Sequence, residues 1–389
     1  MAVINRIAAF AQDMKTWRRH LHAHPEIGFD CHETADFVAR QLRSFGVDEL
    51  HTGIAQTGLV AIINGHGAGP TIGLRADMDA LPMDEATGLD HASTYAGKMH
   101  ACGHDGHTTM LLGAARYLAE TRKFSGRVAL IFQPAEEGGA GGKVMCDEGI
   151  MERFDIAQVY ALHNLPDLPL GVFSTTPGPI MAAADDFFIT VTGKGGHGAF
   201  PQETIDPIPA AVALVTALQT IVTRNIDAAH QLVLSVTQIQ AGSATNIIPE
   251  TASISGTVRS FDKAVQAMVQ ERMQQICDGI SGSYGVKVDL NYQTDYPPTI
   301  NDANGVAIAA AAAGDVVGAD QVITDQAREM GAEDFSFMLE KRPGAYLFLG
   351  QGPGAALHHP AYDFNDEIAP LGASFFARLV EMQQPLAES

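Results

Sequence analysis

The segment from Gly97 to His107 concentrates side chains that bind metals. It places one thiol, three imidazoles and a carboxylate in a short glycine-punctuated stretch, with Cys102 and His104 at its centre. Borderline-soft divalent metals such as zinc favour this set of ligands. The segment therefore predicts a metal site.

Further potential ligands follow predicted strands elsewhere in the chain. They lie in the segments Asp77-Met78-Asp79, Glu136-Glu137, Leu162-His163-Asn164 and Leu357-His358-His359. Ligands of open α/β sheets bind outside the carboxyl ends of the strands, so these segments can meet at one rim of a sheet. Together with the first cluster they indicate a metal-dependent enzyme.

The adjacent pair Glu136-Glu137 indicates a hydrolase. Two neighbouring carboxylates cannot both be buried and charged unless cations lie nearby. In a two-metal hydrolase, one carboxylate binds metal while the other acts as general base on water. The alternative is a pair of solvated surface acids, which is disfavoured because the pair follows an apolar strand and enters a glycine-rich turn.

Composition limits the class of protein. The chain has 389 residues, of which 46% are hydrophobic, with 39 Gly and 19 Pro, as is typical of a globular α/β protein with many turns. Its net charge of −21 disfavours non-specific binding to nucleic acid or anionic membranes. The 4 cysteines are widely spaced, which predicts no disulfide framework. We expect a cytoplasmic protein, because the N-terminus lacks a signal-peptide pattern and the apolar stretches 209–222 and 306–318 look too short to span a membrane.

The spacing of apolar residues predicts an α/β fold with a mainly parallel sheet covered by helices on both faces. The predicted helices of this part are 5–22, 33–46, 104–120 and 141–149, and the predicted strands are 60–64, 71–76, 127–133 and 157–162. After residue 300 the same pattern resumes, with helices 304–313, 332–340 and 371–383 and strand 345–349.

A different pattern occupies the middle of the chain. It predicts the order β-α-β-β-α-β, which is a ferredoxin-like unit. The elements are strand 187–191, helix 206–223, strands 231–240 and 251–259, helix 263–281 and strand 286–292. We therefore expect a catalytic domain over 1–184 and 298–389, with an inserted lid and dimerisation domain over 185–297.

Several motifs occur in the order of a known family. They are Arg75 to Pro82, Gly97 to His107, Gln133 to Glu137, Leu162-His163-Asn164, Gly193 to His197, Asn246 to Pro249 and Leu357-His358. This series resembles the aminoacylase/carboxypeptidase family of two-metal amidohydrolases from about Trp17 to Glu367. The most similar branch contains hippurate hydrolases, N-acetyl-diaminopimelate deacetylases and indole-acetyl-amino-acid hydrolases.

The resemblance implies two divalent metal ions per subunit, zinc or manganese before nickel or cobalt. In this reading the Cys102 thiolate bridges both ions. The remaining ligands are His104 and His163 for one ion, and Glu137 and His358 for the other. The carboxypeptidase-like branch has Asp in place of Cys102 and His in place of Asp77, which identifies the sub-branch and leaves the choice of metal open.

The resemblance also implies roles for catalytic and substrate-binding residues. Glu136 would be the general base and later the proton donor, and Asp79 would support the metal centre. His197, in a glycine-rich turn of the inserted domain, would reach the partner subunit's active site in a homodimer and polarise the scissile carbonyl. Asn246 would help bind substrate. Independently of the resemblance, Arg259 ends a predicted strand and is expected to pair with a substrate carboxylate, with an ordinary surface ion pair as an open alternative.

The other histidines are weaker candidates for metal ligands. His20, His22, His24 and His32 cluster near the N-terminus and are expected to support the fold. His100 and His107 flank the ligands and are expected to orient them. His359 competes with His358, and the family pattern favours His358.

The sequence thus predicts an amidohydrolase that uses metal-activated water to cleave N-acyl-amino acids, which are small hippurate-like or N-acetyl substrates. One alternative is a dipeptidase or aminopeptidase on the same scaffold. Another is a catalytically silent ligand-binding protein, although all the proposed ligands and the base are present.

Overall fold

The computed structural model describes residues 3–386. The chain divides into two units. The first contains the residues up to Ile180, Ile300–Ala327, and the chain from Asp334 to the end of the described part; the second contains Met181–Thr299 and Arg328–Glu333. The sequence predicts boundaries after residues 184 and 297, and it does not predict the return of 328–333 to the second unit. Residues 1–2 and 387–389 of the predicted catalytic domain lie outside the described residues.

Helices and strands follow one another along both units. The helices are α1 (Asn5–Ala8), α2 (Ala11–Ala23), α3 (His32–Phe45), α4 (His104–Thr121), α5 (Glu136–Gly139), α6 (Gly141–Asp147), α7 (Ile150–Arg153), α8 (Pro207–Thr220), α9 (Lys263–Tyr284), α10 (Ala303–Val317), α11 (Ser336–Lys341) and α12 (Ala369–Gln383). The strands are β1 (Glu49–Ile54), β2 (Gly58–Asn64), β3 (Thr71–Asp77), β4 (Arg127–Gln133), β5 (Ile156–Leu165), β6 (Phe173–Ser174), β7 (Gly178–Met181), β8 (Ala183–Thr192), β9 (Gly196–His197), β10 (Leu232–Ala241), β11 (Ile247–Ile248), β12 (Thr251–Ser260), β13 (Lys287–Tyr296), β14 (Thr299–Asn301), β15 (Val322–Ile323) and β16 (Gly344–Gly350).

An eight-stranded sheet forms the centre of the first unit, in the order β1-β2-β4-β3-β5-β16-β6-β15. Strand β3 runs parallel to β4 and β5, and β16 runs parallel to β5. Strands β1 and β2 add an antiparallel end. The prediction of an α/β fold with a large, mainly parallel sheet is confirmed. The apolar runs of β3, β4 and β16 are buried almost throughout, as expected for strands covered on both faces.

Helix α4 lies in the core of this unit. Nearly all its residues from His104 to Ala119 are buried, and it packs against α2, α3 and α12. Its N-terminus carries ligand candidates, so the burial of this helix fixes them relative to the sheet.

The second unit contains a four-stranded antiparallel sheet in the order β10-β12-β8-β13. Helices α8 and α9 pack on it, so its main elements follow the order β8-α8-β10-β12-α9-β13. Alternate residues of β12 are buried, and side chains such as Phe187, Leu214 and Met273 form a separate core. A role as lid or dimerisation domain stays a prediction.

The helical segment that begins with α8 ends two residues later than the predicted helix 206–223, because a π-helical turn at Ile221–Asn225 follows α8. The 19-residue segment Pro207–Asn225 is long and apolar enough, by length and composition alone, to cross a membrane, which corrects the expectation of a short stretch. Its residues Ala211, Leu214 and Leu218 are buried in the core of the second unit, as in a helix that packs on a sheet.

Local differences from the predicted elements have physical reasons. The predicted helix 5–22 is broken because Phe10 leaves helical geometry (φ −117°, ψ 20°) and buries its ring. The predicted helix 332–340 begins only at Ser336, and the Asp334 carboxylate before it accepts a hydrogen bond from the Gly142 backbone N–H. Strand β5 extends to Leu165, so His163 lies within the strand rather than after it.

Candidate metal centre

The ligand candidates meet at one edge of the large sheet. Strands β3, β4 and β5 are parallel neighbours, so their carboxyl ends lie side by side. Asp77 ends β3, Glu136 and Glu137 follow β4, and His163 lies near the end of β5. The N-terminus of α4 brings Cys102 and His104 to the same edge.

Cys102 belongs to two groups of ligand atoms. Its Sγ lies 3.5 Å from His163 Nε2. The ligand atoms of Cys102, His104 and His163 all lie within 4.8 Å of one another, and those of Cys102, Glu137 and His358 do so as well. One sulfur atom is thus common to two potential metal sites.

His358 reaches the cluster from a loop that follows β16. Its backbone is left-handed (φ 62°), an uncommon conformation for a residue other than glycine. Its Nε2 lies 3.2 Å from Glu137 Oε1. The neighbouring His359 instead accepts a hydrogen bond on Nδ1 from the Ala361 backbone N–H. The structure therefore brings His358, and not His359, to the other candidates.

Asp79 holds the turn that carries the two glutamates. Its Oδ1 accepts a hydrogen bond from the Glu136 N–H at 2.9 Å, and its Oδ2 accepts one from the Glu137 N–H at 3.0 Å. The turn needs such support because Ala135 (φ 58°) and Ala140 (φ 49°) are both left-handed.

Two histidines turn their Nε2 atoms toward the cluster. His104 Nδ1 donates to the Asp79 carbonyl oxygen at 2.8 Å, and among residues 3–386 its buried Nε2 has no hydrogen-bond partner. His163 Nδ1 similarly donates to the Asn164 carbonyl oxygen at 2.6 Å, which leaves Nε2 facing Cys102. A backbone bond on one nitrogen that frees the other is the usual arrangement of a metal-binding histidine. The thiol, imidazole and carboxylate donors therefore fit divalent ions.

Burial sets the proton affinities of the first group. It raises the pKa of the Cys102 thiol, and the nearby Glu137 carboxylate raises it further. It also lowers the pKa of His163 well below its ordinary value, so that ring is neutral. Burial opposes protonation of His104 too, but Asp77, Cys102 and Asp79 together raise the His104 pKa well above the ordinary range.

The second group forms an ion pair without metal. Hydrogen bonds to Cys102 and Glu137 raise the pKa of His358 to about 10. Burial works against the Glu137 carboxylate, yet His358 lowers its pKa below the ordinary value. A metal ion bound by His358 would have to displace this proton, so such binding would release protons and strengthen as the pH rises.

Comparison with known proteins identifies the family. The sequence matches peptidase family M20/M25/M40 over residues 73–382. The chain belongs to this family. It is 40% identical to the hippurate hydrolase of Campylobacter jejuni, over 97% of this chain and 98% of the relative. It is 38% identical to the N-acetylcysteine deacetylase of Bacillus subtilis, over 95% and 97%.

The fold agrees with a solved structure of the same family. The crystal structure of the Bacillus subtilis YXEP protein, described as a dinuclear metal binding peptidase, superposes with a TM-score of 0.86 at 35% identity and covers 97% of this chain and 99% of that one. The resemblance stated from the motifs is thereby confirmed, and this M20 family protein is a hydrolase.

Sequence reasoning missed a buried ionic network behind the centre. Arg75 donates to Asp77 at 2.6 Å, to Asp334 at 2.8 Å and to Gln133 at 2.8 Å. Burial opposes ionisation of Asp77, but Arg75 lowers its pKa well below the ordinary value. The available signal was an arginine inside an otherwise apolar strand, because a buried guanidinium needs acidic partners.

The N-terminal histidines lie outside the ligand groups found among the described residues. His22 Nδ1 lies 2.8 Å from Asp105 Oδ2 in the core, next to the buried Arg18. His20 and His24 line a surface cavity with Glu33. These positions agree with the expectation that this cluster supports the fold.

The predicted substrate-binding residues lie in the second unit. His197 on β9 pairs with Ile247 on β11, and the Gly198 N–H donates to the Asn246 carbonyl oxygen at 2.8 Å, so His197 and Asn246 belong to neighbouring segments. Arg259 on β12 donates to the Val258 carbonyl oxygen at 3.0 Å and to the Thr257 hydroxyl. The roles of these residues stay predictions.

Proposed function

We propose that this hydrolase is a metal-dependent amidohydrolase that cleaves the amide bond of N-acyl-amino acids. The observation that supports this most is the shared position of Cys102 in two groups of ligand atoms. Relatives that match nearly the whole chain are named hippurate hydrolase and N-acetylcysteine deacetylase, both of which refer to N-acyl-amino acids. We extend that substrate class, N-benzoyl- or N-acetyl-amino acids, to this chain.

The proposed ligands divide into two sets around the thiolate of Cys102. His104 and His163 would hold one divalent ion, and Glu137 and His358 the other. When bound, the two ions polarise a carbonyl oxygen and lower the pKa of water toward neutrality. Sulfur and imidazole donors favour zinc, with manganese, nickel and cobalt as alternatives.

Glu136 is the proposed general base. It is buried, adjacent to the ligand Glu137, and its carboxylate oxygen lies within 4.8 Å of the ligand atoms of His104 and Glu137. Asp79 fixes its backbone through the Glu136 N–H. In the proposed reaction Glu136 takes a proton from the attacking water and passes it to the leaving amine, so the products are a carboxylate and a free amino acid.

The second unit supplies the proposed substrate contacts. We assign His197 to polarise the scissile carbonyl in the active site of a partner subunit, Asn246 to bind substrate, and Arg259 to pair with the substrate carboxylate. The pairing of β9 with β11 supports a joint role for His197 and Asn246, since it holds their segments together.

The substrate class is tested with purified protein reconstituted with zinc or manganese. We expect hydrolysis of N-benzoyl- and N-acetyl-amino acids, measured by release of the free amino acid, and two metal ions per chain by elemental analysis. Preferred cleavage of unblocked dipeptides would replace this proposal with a dipeptidase or aminopeptidase. Metal binding without hydrolysis of any substrate would instead indicate a ligand-binding protein.

Loss of metal from Cys102→Ala tests the centre itself. Because Cys102 is common to both groups, this variant is expected to lose most of both ions. Cys146→Ala is a matched control, since Cys146 is a buried free cysteine outside the ligand groups found in residues 3–386. Full metal occupancy and activity in Cys102→Ala would remove this residue from the site.

A further inference from the structure

We infer that Asn164 is a positioning residue that holds three ligand-bearing segments of the metal centre in register. The inference rests on the proposed function, because it uses the ligand set assigned there. Asn164 directly follows His163 on β5 and is completely buried. Its side-chain amide contacts each of the other two segments, helix α4 with the turn before it and the loop that follows β16.

The first contact joins Asn164 to helix α4. His107 Nε2 lies 2.7 Å from Asn164 Oδ1 and 3.1 Å from the Asn164 backbone nitrogen. His107 lies one turn after His104 on α4, and its other ring nitrogen lies 2.6 Å from Asp77 Oδ1. The end of β5 is thus tied to the helix that presents His104.

The second contact is packing against the turn between Cys102 and His104. Gly103 is left-handed there (φ 96°), and a Cβ at this position would overlap Asn164 Oδ1 and the Tyr362 hydroxyl. Only glycine allows this close approach of the turn to the Asn164 amide. The amide therefore lies directly against the peptide that separates the two ligands.

The third contact joins Asn164 to the segment that carries His358. Asn164 Nδ2 donates to Gln351 Oε1 at 3.0 Å and to the Tyr362 hydroxyl at 2.7 Å. The Tyr362 hydroxyl donates in turn to Gln351 Oε1 at 3.2 Å. Gln351 and Tyr362 flank the loop that contains His358, and both are buried.

The amide group suits this junction because it accepts on one atom and donates on the other. A carboxylate has no donor for Gln351, and an aliphatic side chain would lose the hydrogen bonds of the amide to His107, Gln351 and Tyr362. Since no single ligand-bearing segment can shift without breaking a bond to Asn164, its amide fixes the spacing of Cys102, His104, His163 and His358.

The test compares Asn164→Ala with Asn301→Ala. Asn301 is a matched control because its buried amide also bonds in both senses: it donates to the Thr175 hydroxyl at 3.2 Å and accepts from the Tyr346 N–H at 2.7 Å. Among the described residues it has no hydrogen bond to a proposed ligand. Both variants are measured for melting temperature without metal, for zinc affinity by chelator competition, and for the cobalt–thiolate absorption of the cobalt-substituted protein.

We expect Asn164→Ala to bind zinc roughly 10- to 100-fold more weakly than wild type, as is usual when a group that orients a ligand is removed. Its cobalt–thiolate band should shift or weaken, because Cys102 is no longer held. Asn301→Ala should lose a similar amount of thermal stability but keep the wild-type affinity and spectrum, which separates positioning from general destabilisation.

Two outcomes overturn different parts of the argument. If wild type binds two ions and Asn164→Ala binds them with the same affinity and the same cobalt spectrum, Asn164 does not position the ligands. If wild type binds fewer than two ions, the ligand assignment itself fails. Should Asn164→Ala not fold, Tyr362→Phe removes only the hydroxyl that Asn164 contacts, and it should weaken zinc binding in the same direction; unchanged affinity there also contradicts the inference.

Discussion

At the scale of single residues, Asp79 has more contacts than its position after a strand suggests. Both carboxylate oxygens accept backbone N–H groups of the glutamate turn, and its carbonyl oxygen accepts from His104. One residue therefore orients the proposed base, Glu136, and two proposed ligands, Glu137 and His104. These contacts support its predicted role as the carboxylate that supports the metal centre.

Replacing Asp79 with Ala is expected to damage the site more than the fold. The backbone N–H groups of Glu136 and Glu137 would lose their partners, so the turn would relax and zinc affinity should fall roughly 10- to 100-fold. Metal affinity and turnover on an N-acyl-amino acid measure the effect. Asp84→Ala is the control, because Asp84 also accepts a backbone N–H, from Gly97, in an exposed position. If the two variants lowered metal affinity and turnover equally, Asp79 would have no role beyond that of an ordinary turn residue.

Glutamine substitutions distinguish the proposed base from the proposed ligand. Glu136→Gln should keep both metals and the fold but lose roughly 10²- to 10⁴-fold in turnover, because an amide cannot take the proton from water. Glu137→Gln should instead lose metal. Elemental analysis and steady-state kinetics on both variants give the answer, and the opposite pattern would show that the two roles are exchanged.

At the scale of elements, the sequence predicts which residues lie at the edge of the sheet, but it does not predict the side-chain contacts in the interior behind that edge. Apolar strands followed by acids or histidines locate Asp77, Glu136 and His163 at one edge, since parallel strands end together. The contact between Asn164 and Tyr362 joins residues 198 positions apart, and no local pattern indicates it. Two-residue strands such as β6 and β15 were missed for the same reason, because pairing within the sheet defines them rather than their own sequence.

Helix α2 is connected to α4 through a buried histidine. Burial opposes the charge on His22, but its hydrogen bond to Asp105 raises its pKa to about 9. Its other ring nitrogen lies 3.4 Å from Glu85, in the loop between β3 and α4. A charged His22 thus joins α2, α4 and this loop.

The stability of the metal-free protein should therefore fall at alkaline pH, as His22 loses its proton. The folded-state pKa lies above the ordinary 6.5, so the stabilisation is complete below about pH 6.5 and is lost as the pH rises through 9. The difference between these two pKa values corresponds to roughly 3 kcal/mol of folding free energy. Unfolding by denaturant from pH 6 to 10 should show this decline in wild type and a flatter profile in His22→Gln. His66→Gln, at an exposed position, is the control and should follow wild type; a wild-type profile in His22→Gln would contradict the assigned contact.

At the scale of the whole molecule, the change of pattern near residue 185 anticipates the second unit. Strict alternation in β12 and the long helix α9 indicate a separate antiparallel layer, and Phe187 and Met273 do form a core of their own. The short segment Arg328–Glu333 joins this unit without any sequence signal, since six residues without regular structure carry no periodicity.

The second unit has features that suit pairing with a second copy. Strand β10 is at an edge of its sheet and is largely exposed. Apolar side chains are also exposed on this unit, among them Ile208, Val212 and Ile239. An open strand edge and exposed apolar residues are unfavourable in water, and a two-fold dimer would cover both. The homodimer stays a proposal.

Complementation between inactive variants tests whether His197 acts across that dimer. His197→Ala and Glu136→Gln should each be inactive alone. In a mixed dimer, one site would combine Glu136 of the first chain with His197 of the second, so about half the activity of a wild-type dimer should return. Differently tagged chains, co-refolded and purified through both tags, provide verified mixed dimers. The control pairs wild type with the double variant His197→Ala/Glu136→Gln. If His197 acts across the dimer, neither site of that pair is complete and it should be inactive. Half activity in the control together with none in the first pair would mean that His197 serves its own chain.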